Sequence, residues 1–442
     1  MKPIRKLGVL LLLMTFILAA CGDGGSQTAG ELGGKSSSGK VKLSIWHNFA
    51  GDDQRAKTVR GIIDQFIKDN PDIELDSQAI PPDGYRQRLS TVAAGNELPD
   101  VFFVYAGSQS AELFKAGLLQ PITEIADQHK DWKEKFLPGA LVPFEFEQNQ
   151  LYSAPIGMSA TSILYYNTAL FQKYNVKVPE TWDELMTAIR VFNDNKITPI
   201  ALGNKAPWVA QSTILGTLAD HVAGTEWFKN AAAQKGAKFT DPEFVKALGY
   251  FKQLVDNKAF QDGANSIDNT QAEQYFIQGN AAMMISGAWT LTNLAASATE
   301  EQLKGIDVTV MPAIPGGKGE AKSISGGAGG GMALSKRTEG AAKEAALKLI
   351  YAISGPEAQK AIAESNSMVM YDTDIDQSKV SSLYYKAFKL VKNTAITPVY
   401  DAYLTADAAE VINNGLQEIM TGASPESIAT KLQEAQARSV TP

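Results

Sequence analysis

Cysteine is nearly absent: among 442 residues the only one is Cys21, so no internal disulfide can form. Histidine is almost as scarce. His47, His129 and His221 are scattered and no His-Glu-x-x-His occurs, which leaves a metal site without its usual nitrogen and sulfur ligands. Asp372-Thr373-Asp374-Ile375-Asp376 starts like a calcium loop, yet Gln377 stands where glycine must turn the chain and Leu383 where a bidentate glutamate must close it. Gly-Met-Ser-Ala-Thr around Ser159 is not the Gly-x-Ser-x-Gly nucleophile elbow. Gly34-Lys35-Ser36 lacks the earlier glycine and the preceding strand of a phosphate-binding loop. Lysine and arginine never form a run, and 41 of them against 48 acidic residues leave a net charge of −7, so nucleic acid is not the expected partner. No cofactor and no metal are implied. Only a pair of carboxylates, which any chain this rich in acids can assemble, keeps a hydrolytic enzyme open.

The apolar run Leu7 to Ala20 is shorter than the roughly 20 residues that span a bilayer. It follows Lys2, Arg5 and Lys6 and ends Leu18-Ala19-Ala20-Cys21, the layout of a secretory signal over residues 1–20. Leu-Ala-Ala-Cys resembles the bacterial lipobox, which makes Cys21 the expected lipidation site and first residue of a membrane-anchored, extracytoplasmic protein. Residues 21–40, all Gly, Ser and other small or polar types apart from an isolated leucine, read as a flexible tether.

Beyond the tether the length calls for more than one core. Val41, Leu43 and Ile45 alternate with polar residues as a strand, and a helical pattern through Val59, Ile63 and Phe66 ends at Pro71. Ile73 to Ala79 reads as a second strand, Asp83 is placed to cap a helix through Ala94, and Val101 to Tyr105 is the third strand. Strand and helix alternate three times, so this is an α/β unit with a parallel sheet, whose ligands bind at the carboxyl ends of the strands. Those ends place Asn48, Asp52, Asp53, Tyr105 and Ser108 as candidates. Asp52 and Asp53 have two uses each, accepting from ligand hydroxyls or capping the first helix. Leu151 to Asn167 reads as one extended segment joining two globular units, with Ser159 and Thr161 facing the cleft between them. Asn167 caps a short helix, Thr181 and Glu184 form a capping box that leaves Trp182 to packing, and Ser286-Gly287-Ala288 delivers Trp289 at the end of strand Ala281 to Ile285. Gly326 to Gly331 lacks the spacing of a nucleotide motif and reads as a loop that lets ligand approach backbone amides, with Gly326 and Gly327 as candidates.

Several segments resemble the extracellular solute-binding protein family 1, the carbohydrate receptors of ABC importers that include maltose-binding protein. They are Pro71-Asp72-Ile73, Ala94-Gly95 with Pro99-Asp100-Val101, Leu164 to Asn167, Pro179 to Leu185, Phe276 to Trp289 and Ser354 to Glu357, in the family's order. The resemblance implies a type II periplasmic-binding-protein-like fold with two discontinuous lobes joined by a hinge. Residues 41–153 and 314–365 would form lobe 1, and 154–313 with 366–442 lobe 2. It also implies a monomeric receptor, not an enzyme, that binds a carbohydrate between the lobes and delivers it to ABC permease subunits. Trp208 and Trp289 would be the stacking platforms, and Tyr400 and Asp401 lie where relatives place cleft contacts. The acids that the maltose binder uses fall at Ser159 and Ala206, and its tryptophan after the third strand at Val104, so the pocket differs from a maltodextrin site. A surface-anchored glycoside hydrolase and a receptor for a non-sugar solute are the rival readings.

Overall fold

The computed structural model describes residues 39–147 and 150–440. Cys21, the leader and nearly all of the tether lie outside the described residues.

The first strand, β1 (Val41–His47), buries Leu43, Ile45 and His47 on one face. It pairs in parallel with β2 (Ile73–Ala79) and β3 (Val101–Tyr105). The helix between β1 and β2, Gln54–Asp69, buries Ala56, Val59, Ile63 and Phe66, a helical stripe laid on the sheet. Asp100 explains the Pro-Asp-Val motif. Its buried carboxylate accepts from Ser44 N (2.8 Å), Ser44 Oγ (2.8 Å) and Thr338 Oγ1 (2.8 Å), tying β1 to a distant segment. Helix Pro82–Ala94 starts two residues earlier than a cap at Asp83 implies, after Pro81 and without a side-chain cap. Tyr85 instead fixes it, donating to Phe103 O (2.7 Å).

Four short strands lead to the hinge: β4 (Leu119–Gln120), the pair β5 (Glu145–Glu147) and β6 (Gln150–Leu151), and β7 (Ser153–Ala160). After a break at Thr161-Ser162 the chain forms β8 (Ile163–Asn167), then β9 (Thr198–Ala201), β10 (Ala281–Ser286) and β11 (Ile306–Thr309). These make the second sheet, ordered β11-β8-β10-β9, with β9 parallel to β10 and β8 antiparallel to its neighbours. Leu164, Ile200 and Met283 face one core, and Tyr165, Ala201 and Met284 face another on the opposite side. The capping box of Thr181 with Glu184 is present, and Trp182 is buried, donating to Gln253 Oε1 (3.0 Å).

The long strand β12 (Ser323–Ser335) returns the chain to the first sheet, and β13 (Ala395–Thr397) flanks its start. β12 runs antiparallel to β7 along nearly all of β7 and to β3 from Gly330 to Leu334. The crossing is therefore a two-stranded ribbon with a bulge near Gly330, not a single strand. This corrects the expectation of one extended segment from Leu151 to Asn167.

It also corrects the glycine loop. Gly326 to Gly331 are strand residues, and a Cβ on Gly326 would stand 2.6 Å from Ser159 O, on Gly330 2.3 Å from Phe103 Cζ, and on Gly331 2.5 Å from Ala154 O. Their function is close strand packing. The expected lobe boundaries shift for the same reason. Residues Ala154 and Ile156 sit in the first core, Ile314 sits in the second, and Gly317 and Gly319 lie against the backbone of His221 and Asp220. Near the expected boundary at 365/366, Met368 belongs to a core of the second lobe while Met370 and Tyr371 belong to the first core.

Candidate functional site

On the second lobe the cleft face is aromatic. Gly203 to Trp208 follows β9, and the buried Asn204 shapes this loop by accepting from Ala210 N (3.0 Å) and donating to Asn265 Oδ1 (2.9 Å). Trp208 and Trp289 each open a helix just past a strand end, and both are half-buried. Their rings meet edge to face, with centroids 5.5 Å apart and planes at 70°. Trp289 lies flat over the Gly287 backbone, where a Cβ would come within 2.1 Å of the ring, and its Nε1 is enclosed with no acceptor. Behind it, the buried Glu273 accepts from Asn269 Nδ2 (2.8 Å), Thr290 Oγ1 (2.7 Å) and Asn293 Nδ2 (2.9 Å). Burial pushes this carboxyl up to about 7 against those three donors. Helix Trp289–Ser297 thus has its first turn held by a carboxylate that the sequence did not reveal.

The first lobe presents polar and cationic groups. Asn48 donates to Tyr105 Oη (2.8 Å), and its Oδ1 is enclosed without a donor. Tyr105 is less open than its strand-end position suggests, because the Arg86 guanidinium covers its ring at 3.9 Å and Phe103 meets its edge at 5.0 Å. Asp53 caps the first helix through Oδ1 to Ala56 N (3.0 Å), while Asp52 is exposed. His47 is buried; burial and the Arg60 charge push it down to about 4, so the ring is neutral and accepts from Phe49 N (3.3 Å). Arg55 was missed by sequence reasoning. Its guanidinium lies 5.1 Å from the Phe49 ring centre, and Nη2 stands 2.7 Å from where Gly157 on β7 would carry a Cβ. Nε is enclosed without an acceptor. Burial lowers the guanidinium's pKa, and the Asp53 charge partly restores it.

Between the lobes, Ser159 and Gly327 are half-buried on the ribbon, and Gly327 has open space where a side chain would be. Thr161 does not face the cleft. It is 1% exposed and donates to Ser325 O (3.1 Å), so its hydroxyl pins the hinge. Tyr400 is likewise a core residue, stacked on Phe228 with centroids 3.6 Å apart. Asp401 faces Arg86 across 3.8 Å, and its carbonyl accepts from Ser108 Oγ (3.0 Å). Ser108 and Asp401 are therefore partners of each other across the lobes, and a Cβ on the neighbouring Gly107 would stand 2.3 Å from Ala402 O. On the other flank the first helix packs against helix Trp289–Ser297. One lobe thus offers an aromatic pair and the other hydrogen-bonding groups. Such a pair suits a ligand with apolar faces and a polar rim. The hollow lined by Thr123, Asp127, Lys130, Lys133, Glu134 and Leu141 shares no residue with these faces.

Residues 50–360 match the model of bacterial extracellular solute-binding proteins. An uncharacterized ABC transporter extracellular-binding protein of Pyrococcus horikoshii is 26% identical over 284 residues, 63% of this chain and 62% of that one. The multiple sugar-binding protein of Streptococcus mutans is 26% identical over 303 residues, 66% of each chain. The match thus spans less than two thirds of either relative. A solved structure from work on xylan utilization by the bacterium Caldanaerobius polysaccharolyticus superposes with a TM-score of 0.81 at 27% identity, covering 89% of this chain and 99% of that one.

Proposed function

This chain belongs to the bacterial extracellular solute-binding protein family, and from that premise we propose that it is an extracytoplasmic receptor for a sugar or oligosaccharide. The ligand is held between the lobes and passed to the permease of an ABC importer. The observation that carries this reading is the edge-to-face pair of half-buried Trp208 and Trp289 beyond the strand ends of the second lobe, with the Asn48 and Tyr105 pair at the strand ends of the first. Sugar C–H faces pack on aromatic rings, while ring hydroxyls need fixed polar partners. The name of the Streptococcus mutans relative, a multiple sugar-binding protein, supports the ligand class, and that of the Pyrococcus horikoshii relative supports the ABC transporter.

The protein acts by binding, not by catalysis, and is anchored through Cys21 as a monomer. Thermal-shift titration of the full-length chain against neutral and acidic oligosaccharides tests the ligand class, since a ligand at 100 times its Kd adds about 2.7 kcal/mol of stability. Recovery of the bound oligosaccharide intact after long incubation is the expected result; new reducing ends would make the protein a hydrolase. For the anchor, Cys21→Ala should leave the membrane fraction or accumulate unprocessed. Unchanged fractionation and mobility would remove the lipid.

A further inference from the structure

Arg55 is a cation without an anion. It sits in the first turn of helix Gln54–Asp69, half-buried, with its guanidinium between the Phe49 ring and the bare backbone of Gly157 on the hinge ribbon. Among the described residues it makes no ion pair, and its enclosed Nε finds no acceptor. Asp53, the nearest acid, spends Oδ1 on the Ala56 amide and turns Oδ2 toward Gly51. The other arginine of this face, Arg86, is already matched by Asp401. Withdrawing an arginine from water is costly unless its hydrogen bonds and charge are met. Asn48, next in the chain to the Phe49 on which Arg55 lies, has an Oδ1 that is also enclosed and unmatched.

We propose that the cleft takes an acidic saccharide, with Arg55 receiving the carboxylate of a uronosyl unit and Asn48 Oδ1 accepting from one of its hydroxyls. This rests on the receptor reading and narrows its ligand class. A guanidinium presents a planar fork of N–H donors that matches the two oxygens of a carboxylate. The guanidinium can sit against the ribbon because Gly157 carries no side chain, a Cβ there standing 2.7 Å from Nη2. The charge count selects a monoanion. Arg55 is partly offset by Asp53, so the site has at most one positive charge to give, whereas a phosphate ester is close to dianionic at neutral pH. The helix that carries Arg55 packs against the helix opened by Trp289.

The test is titration calorimetry on the purified full-length chain with trigalacturonate, a glucuronate-bearing xylo-oligosaccharide, the methyl ester of each, their neutral counterparts and galactose 6-phosphate. At least one acid should bind ten-fold or more tightly than its own methyl ester, and Arg55→Gln should bring that ratio close to one. Equal affinity for acid and ester, preference for a neutral sugar, or tighter binding of the phosphate would overturn the proposal while leaving the receptor reading intact. If no saccharide binds, both fall. The ester comparison uses the unaltered protein, so it decides the matter even if the variant misfolds.

Discussion

Glu273 in the second lobe and Arg55 in the first are both withdrawn from water, and the two are treated in opposite ways. Glu273 in the second lobe is surrounded by donors from Asn269, Thr290 and Asn293. Arg55 in the first lobe has an enclosed Nε with no acceptor among the described residues. A charge whose partners are all supplied by the fold is part of the architecture, since removing it strands those partners. A charge left without partners is a cost the fold carries until something else meets it. The difference separates scaffold from site more sharply than residue type does, because a sequence shows only that both residues are ionisable.

The largest effect expected from this contrast is a pH dependence centred on Glu273. Its folded pKa, about 7, lies above the ordinary value of 4.5. The folded state therefore holds a proton that the unfolded chain releases. The associated stability is complete below about pH 4.5 and is lost as pH rises toward 7, on the order of 3 kcal/mol in total. Glu273→Gln should flatten that part of the stability curve in urea unfolding followed from pH 4 to 8. A variant retaining the wild-type slope would show that another group carries it.

Next in size is Trp289→Ala. The ring is half-buried and stands between Trp208 and the cleft, so its removal should cost about 1 to 3 kcal/mol of sugar binding, roughly five-fold to more than a hundred-fold in Kd. Stability should fall by less than the roughly 3 to 5 kcal/mol of a buried tryptophan. Normal affinity with a large loss of stability would assign Trp289 to the core beside Glu273 and leave the second lobe without a platform.

The position of Trp289 after a short strand and a Ser-Gly-Ala turn was legible in the sequence, and the structure adds that its ring lies on Gly287. The alternation of β1, the capping box at Thr181 and the Asn167 cap were legible for a similar reason, since each is decided within a few residues. The ribbon was not. Its partners β7 and β12 are far apart in the chain, and a glycine-rich strand has the same composition as a loop until its neighbour is known. Thr161 and Tyr400 were misplaced because a place on the crossing segment, or a position shared with relatives, cannot tell whether a side chain turns inward. Arg55 left no signal at all: in a helix's first turn an arginine reads as solvent-exposed, and only packing against Gly157 and Phe49 withdraws it.

Arg55→Met sharpens the contrast from the other side. Methionine keeps most of the apolar stem while removing an unpaired charge, so the ligand-free protein should gain about 1 kcal/mol or stay unchanged. Urea midpoints measured without sugar provide the check. A loss beyond about 2 kcal/mol would mean that the guanidinium is already satisfied within the fold, and the distinction from Glu273 would collapse.

The smallest effect belongs to a charge of a third kind. Asp401 meets Arg86 across the lobes at 3.8 Å, with side chains 21% and 49% exposed. An ion pair this wet contributes a few tenths of a kcal/mol, and salt screens it further. Asp401→Asn should therefore leave unfolding unchanged within error, because the Ser108 bond is made to the Asp401 carbonyl and survives the substitution. Its effect should appear in lobe closure, where even a small bias shifts the equilibrium between open and closed forms. The variant also frees Arg86, beside Tyr105, from its one acidic partner among the described residues, which adds a second available cation to the face that holds Arg55. Affinity for an acidic saccharide should rise slightly, about two-fold at low ionic strength, while a neutral one binds no better. Equal changes for both would locate the effect in closure alone, and a drop in stability above about 1 kcal/mol would show that this exposed pair is structural after all.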